Sequence, residues 1–170
     1  TDGAVACAIM HVLFRDGFAD EPYMEKYTDN WRELKEHLQD KTPVWAEKIS
    51  GVSCQKIEAL AREIGKTERT YIRIGYGFAR SRNGVSQVHA VASIAAVGGN
   101  FRFLGGGAFW SNRIVYHWNK TVVEGLDVLD PITRILDMSR IGPVLTFEDE
   151  AVRKGPPVTA MLVQNTNPAA

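Results

Sequence analysis

Residues 75–84, Gly-Tyr-Gly-Phe-Ala-Arg-Ser-Arg-Asn-Gly, follow the β-branched and aromatic run Thr70-Tyr71-Ile72-Arg73-Ile74 and precede a stretch of helical composition over 85–97. That order makes the decapeptide a strand-to-helix loop, and it reads the preceding run as a buried strand. Such loops lie at the carboxyl ends of parallel strands, where open α/β sheets place their ligands, and glycine lets the backbone approach a ligand closely. Arg80 and Arg82 add positive charge beside a helix N-terminus whose free N–H groups already favour phosphate. The common dinucleotide fingerprint is excluded, because Gly75 and Gly77 would need a third glycine where Arg80 stands. On pattern alone, a phosphate site and a glycine-rich turn with two solvated arginines stand level.

The 170-residue length is that of one domain with room for a real core. Lys+Arg and Asp+Glu are both 20, so the formal net charge is zero and nothing points to a nucleic-acid partner. A small anionic cofactor needs only a local patch and is not excluded. Cys7 and Cys54 are too few and too far apart for a metal motif or a disulfide framework; Cys7, among Ala6, Ala8 and Ile9, reads as a small core residue. No apolar run reaches the ~20 residues of a membrane span, and no signal-peptide pattern is present. The chain opens directly into a helix and stops just past a strand, which reads as a piece of a longer chain.

Ala4, Val5, Ala8, Ile9, Val12 and Leu13 recur at helical spacing and predict an amphipathic helix ending near Gly17. Asp2 stands at its start, either as a cap or as a carboxylate able to accept from the N1–H and amino group of guanine. Short helices are expected from Asp20-Glu21-Pro22, from Asn30 with Glu33 as a capping box, from Thr42-Pro43 to Gly51, and from Ser53 along the face Ile57, Leu60, Ala61, Ile64. Gly65-Lys66-Thr67 lacks the upstream glycine of a phosphate loop and reads as a helix end with a left-handed glycine. His89, His11, His37 and His117 lack partners at metal-binding spacing and read as structural.

The helix over 85–97 is rich in alanine, which suits close packing on a sheet or a planar ligand. Five glycines over 98–107 form a loop able to wrap a large ligand, flanked by Phe101, Phe103, Phe109 and Trp110, which should be buried if it is ordered. Ser111 and Asn112 offer polar groups at its end. Residues 131–136 and 147–154 read as short helices. Residues 158–163 read as a second buried strand, ending in the polar turn Gln164-Asn165-Thr166-Asn167-Pro168. Two strand ends with polar loops, and helices between, describe a parallel α/β sheet with one ligand crevice.

Thr1-Asp2 before the first helix, the decapeptide at 75–84, Gly99-Asn100 followed by Gly105-Gly106-Gly107, and Thr166-Asn167-Pro168 together resemble the molybdopterin-dependent oxidoreductases of the dimethyl sulfoxide reductase family, in order and approximate spacing across nearly the whole chain. The resemblance implies a single three-layer, Rossmann-like α/β domain over 1–170 with a mainly parallel sheet, cut from a longer enzyme. It implies that this domain holds part of a bis(molybdopterin guanine dinucleotide) cofactor of molybdenum or tungsten. In that reading Asp2 with Thr1 binds guanine; Tyr76, where relatives often have methionine, and Arg80, where many have glutamine, contact the cofactor. Asn167 matches a cofactor-binding asparagine, and Ser111 and Asn112 match a polar loop near the pterin.

The same resemblance places the metal ligand and the cysteines of a [4Fe-4S] cluster elsewhere in the parent chain, so that the fragment alone is not expected to be active. Expected partners are the remaining domains of the parent, a small-molecule substrate and an electron-transfer subunit, in a soluble enzyme placed in the cytoplasm slightly ahead of the periplasm. The rival is a cofactor-free scaffold akin to the large iron–sulfur subunit of respiratory complex I.

Overall fold

The computed structural model describes residues 1–111, 115–125 and 127–163. They fall into two compact units, Thr1–His117 and Trp118–Ala170. The first unit is built around α1 (Asp2–Arg15), in which Ala6, Ala8, Ile9, Met10, Val12 and Leu13 are all buried. Burial at three consecutive positions, 8 to 10, means that this helix is enclosed on several sides and does not present the single stripe its spacing predicted. It packs against α4 (Pro43–Ser50), α5 (Cys54–Lys66) and α6 (Gly84–Val97). Two short helices, α2 (Glu21–Tyr27) and α3 (Trp31–His37), add Met24 and Trp31 to the same core.

Local chemistry accounts for most helix starts. The Asp20 carboxylate accepts from Tyr23 N–H at 3.0 Å, and the Thr42 hydroxyl from Trp45 N–H at 3.2 Å, each with proline in the first turn. Gly51, left-handed at φ 75°, closes α4 as expected. Four expectations fail for identifiable reasons. Asn30 sits at φ 55°, outside the extended region a cap requires, and its side chain makes no capping bond, so the capping box is not formed. Ser53 precedes α5 but makes no side-chain cap either. Leu60 is exposed, on the flank of the face formed by Ile57 and Ala61. Gly65 is not a left-handed terminus but lies inside α5, where a Cβ would come 2.4 Å from the Phe18 ring; its smallness serves packing.

The sheet of this unit has two parallel strands, β1 (Tyr71–Arg73) and β2 (Gly107–Phe109), with Ile72 opposite Ala108. Parallel pairing at 70–74 is therefore present, but the run is not buried on both faces: Ile72 packs on the helical core while Tyr71 and Arg73 are exposed. The glycine-rich loop over 98–107 is likewise not a free wrap. It forms a 3-10 turn (Asn100–Arg102) and then enters β2 at Gly107, whose φ of 110° and contact with the Phe101 ring admit no side chain. Phe101 and Trp110 remain about half exposed, against the expectation of burial.

The second unit contains α7 (Thr121–Glu124), a 3-10 turn (Met138–Arg140), α8 (Ile141–Leu145) and α9 (Glu150–Arg153), with Val144 of α8 and Val152 of α9 buried. The helix expected over 131–136 is absent because the Asp130 side chain and carbonyl capture Ile132 N–H and Thr133 N–H in a turn. The helix expected over 147–154 shrinks to α9, after Phe147 at φ 63°. Residues 158–163 form no strand. Strand geometry is stabilised by a paired neighbour, and the parallel partner of β1 is β2. The chain is thus α/β, helix-rich, with a small parallel sheet.

Candidate cofactor-binding site

Parallel pairing brings the carboxyl ends of β1 and β2 to the same edge. Ile74 N–H donates to the Phe109 carbonyl at 2.9 Å and extends the ladder beyond β1. The Arg73 guanidinium reaches across both strand ends, its Nη1 donating to the carbonyl oxygens of Ile74, Phe109 and Trp110. Just beyond, the Tyr76 hydroxyl donates to Ser111 Oγ at 2.7 Å, and the Tyr76 ring lies 5.9 Å from that of Trp110. Two residues singled out from the sequence, 35 positions apart, are therefore neighbours.

The start of α1 arrives at the same edge. Asp2, Ile74, Gly75 and Phe78 line one cleft of about 460 Å³, with Arg73 and the apolar side chains of Val5, Ile9, Val52, Val91 and Ile94. Asp2 is not the helix cap: Thr1 occupies that position, and Asp2 lies in the first turn. Its Oδ1 accepts from the Thr1 hydroxyl at 3.1 Å, and among the described residues its other oxygen has no partner. Gln87 of α6 links this turn to the decapeptide. Its side-chain oxygen accepts from the backbone nitrogens of Thr1 and Gly3, 3.4 Å each, and its amide donates to Ser81 Oγ at 3.1 Å.

The decapeptide is a 3-10 helix, Tyr76–Arg80, followed by a turn into α6. Its glycines divide by role. Gly84 is demanded by the fold, since a Cβ there would come 2.0 Å from the Phe78 carbonyl oxygen, whereas at Gly75 and Gly77 an added Cβ meets nothing within 4 Å. Among the described residues, then, nothing in the fold requires glycine at 75 and 77, and both lie open to an approaching group. Arg80 ends the 3-10 helix and Arg82 follows it; both are exposed and neither has a partner among the described residues. α6 begins behind them with no side-chain cap and no acidic residue in its first turn, which leaves the positive end of its dipole uncompensated.

The expected residues thus form two groups, Thr1–Asp2 at the cleft and Tyr76–Ser111 at the strand ends, with Arg80 on the connecting loop. Asn112, Thr166, Asn167 and Pro168 lie outside the described residues. Sequence reading missed Arg73, Gln87 and Phe78; the one available signal was a charged residue at the carboxyl end of an otherwise apolar strand.

His11 is structural as read, its Nδ1 2.8 Å from the Leu38 carbonyl, but His89 is exposed on α6 and its ring has no partner among the described residues, so it is not a satisfied histidine. Burial holds the Cys7 thiol above its ordinary range, with Lys41 opposing. No cluster of three or more His, Cys, Asp or Glu able to hold a metal occurs among the described residues, nor does any helix there have the length and apolarity to cross a membrane.

No protein-family model matches the chain. Curated proteins do. A probable oxidoreductase of Bacillus subtilis, YoaE, is 35% identical over 170 residues, covering 99% of this chain and 24% of its own length. The dimethyl sulfoxide reductase DmsA of Haemophilus influenzae is 31% identical over 62% of this chain and 16% of its own length. A formate dehydrogenase alpha subunit of Methanococcus maripaludis is 34% identical over 59% of this chain and 15% of its own length. The chain spans about a quarter or less of these relatives. By this kinship the chain belongs to the dimethyl sulfoxide reductase family of molybdopterin oxidoreductases, of which it represents one stretch.

Proposed function

We propose that this chain is the part of a molybdenum or tungsten oxidoreductase that holds a molybdopterin guanine dinucleotide. The observation that carries the reading is the meeting of the Asp2 carboxylate with Gly75 in one cleft at the end of a parallel strand pair, on a loop where the fold does not require glycine at 75 or 77 and where Arg80 and Arg82, without partners among the described residues, precede α6. The donor set fits such a group. Asp2, supported by Thr1, accepts from guanine N1–H and the amino group; Gly75 and Gly77 admit close backbone approach; Arg80 faces a pyrophosphate or pterin oxygen.

Tyr76 and Ser111 supply hydroxyls at the strand ends, and Asn112 and Asn167 are assigned to the same group. The bound pterin and metal supply the two-electron redox chemistry, an oxygen-atom transfer or a dehydrogenation. This chain's residues fix the position of the group and tune its surroundings.

In the full-length enzyme β1 and β2 belong to a larger parallel sheet of a three-layer, Rossmann-like domain spanning 1–170. Parallel sheets are covered on both faces, and the exposed Tyr71 of this one calls for a second layer. The metal ligand, a [4Fe-4S] cluster, the small-molecule substrate site and the electron-transfer contact are assigned to the rest of the parent.

The test is metal analysis of the purified full-length protein with assay of nucleotide released on acid hydrolysis. Molybdenum or tungsten with guanine nucleotide supports the reading; absence of both, from a host that makes the cofactor, overturns it in favour of a cofactor-free scaffold. Asp2→Ala is expected to lower guanine nucleotide content while leaving the fold intact, and unchanged content would remove Asp2 from the site.

A further inference from the structure

We infer that Arg73 reads the guanine base together with Asp2, through O6 and N7, and so acts as a specificity-determining residue of the cleft. This rests on the guanine dinucleotide reading above. Arg73 and Asp2 line the same cleft of about 460 Å³, whose other walls, Val5, Ile9, Val52 and Phe78 among them, are apolar. An apolar cleft with a few placed polar groups suits a flat heteroaromatic ring, and the polar groups decide which ring.

Every Arg73 contact among the described residues is made by Nη1, to the carbonyls of Ile74, Phe109 and Trp110. Nε and Nη2, the side-on fork of the guanidinium, are left to donate elsewhere. The Nη1 contacts also hold the side chain at the strand ends, so little further ordering is needed on binding.

A two-donor fork matches O6 and N7 of guanine, while a carboxylate matches its N1–H and amino group. The two residues therefore read adjoining edges of one base with opposite hydrogen-bond polarity. Adenine carries an amino group in place of O6 and has no N1 proton. It would set donor against donor at Arg73 and acceptor against acceptor at Asp2, so the pair rejects adenine at two points where Asp2 alone would do so at one.

The test uses full-length protein freed of bound groups and calorimetric titration with GDP, 7-deaza-GDP and ADP. 7-Deaza-GDP lacks only the N7 acceptor. The unmodified protein is expected to bind GDP roughly three- to tenfold more tightly than 7-deaza-GDP, the worth of one hydrogen bond. Arg73→Lys keeps a cation able to serve the strand-end carbonyls but loses the fork. In that variant GDP affinity should fall roughly five- to a hundredfold and the preference over 7-deaza-GDP should vanish, with part of the discrimination against ADP kept by Asp2.

Equal binding of GDP and 7-deaza-GDP by the unmodified protein, a comparison that needs no variant, overturns the assignment. So does a folded Arg73→Lys protein that keeps the preference. If the unmodified protein binds no guanine nucleotide and releases none on acid hydrolysis, the guanine reading itself has failed and takes the Arg73 assignment with it. If guanine is released and only the Arg73 comparisons are negative, that assignment falls alone.

Discussion

Replacing Gly84 by alanine sets two effects of opposite sign against each other. Alanine in a helix is favoured over glycine by about 0.5–1 kcal/mol, through lower entropy in the unfolded chain. At Gly84, the first residue of α6, the added Cβ would lie 2.0 Å from the Phe78 carbonyl oxygen and 2.9 Å from its carbon. The obstacle is backbone and cannot rotate away; the carbonyl must retreat by more than an ångström. That oxygen accepts from Ser81 N–H at 3.1 Å and from Ser81 Oγ at 3.0 Å, so both bonds are lost. At about 0.5–1.5 kcal/mol each, their loss outweighs the helix gain.

The expected net effect is a local destabilisation of about 1–2 kcal/mol over the decapeptide and the first turn of α6, which corresponds to amide exchange faster by roughly 5- to 30-fold. Hydrogen exchange read by mass spectrometry on peptides covering residues 76–90 of the full-length protein measures it. Slower exchange in the variant would show that the ordinary alanine advantage prevails and that the close approach of Phe78 to α6 is not what demands glycine.

Gly75→Ala and Gly77→Ala, with open space around both positions, should leave local exchange within about twofold of the unmodified protein while lowering guanine nucleotide content; unchanged content at both would show that the openness serves no ligand. Gly65→Ala, pressed against the Phe18 ring at 2.4 Å, should destabilise the α5 end by about 1–3 kcal/mol, read as faster exchange over 54–67. The Asp16 carboxyl is held below its usual value of 3.8 by hydrogen bonding to Arg15, and to Arg62 at 3.0 Å. A lowered folded value contributes stability that is present above the unfolded value near 3.8 and is lost as pH falls through the folded one. Protection of the α1–α5 contact should therefore weaken below about pH 4 and less so in Asp16→Asn, with salt blunting the difference because these charges face solvent.

Much of the first unit is legible in the order of its residues because its signals are local. Proline after Asp20 and Thr42, glycine at position 51, and apolar spacing in α1 and α5 act within one or two helical turns, and α2, α4, α5 and α6 start within a residue of where those signals put them. The expected site residues were read from motifs; the structure pairs Tyr76 with Ser111 and lines one cleft with Asp2 and Gly75.

Local turns account for the lost helix over 131–136 and the unformed cap at Asn30; other failures fall where a distant partner decides. Gly65 carries the composition of a helix end, yet its neighbour is Phe18, forty-seven positions earlier. Residues 158–163 have strand composition and no strand, because composition cannot supply the partner a ladder needs. Gly107 looked like loop and is strand, since the ladder to β1 overrides its low propensity.

By itself the sequence determined the starts of most helices in the first unit, the strand–loop–helix at 70–97 and the kinship of the chain, all properties carried by neighbouring residues or by ordered motifs. Tertiary structure alone decided which glycines are constrained from within and which lie open, that Gln87 ties the α1 start to the decapeptide, and that Arg73 lines the Asp2 cleft with Nε and Nη2 uncommitted among the described residues. Those are contacts between elements far apart in the chain, set by packing around α1, and no local pattern encodes them.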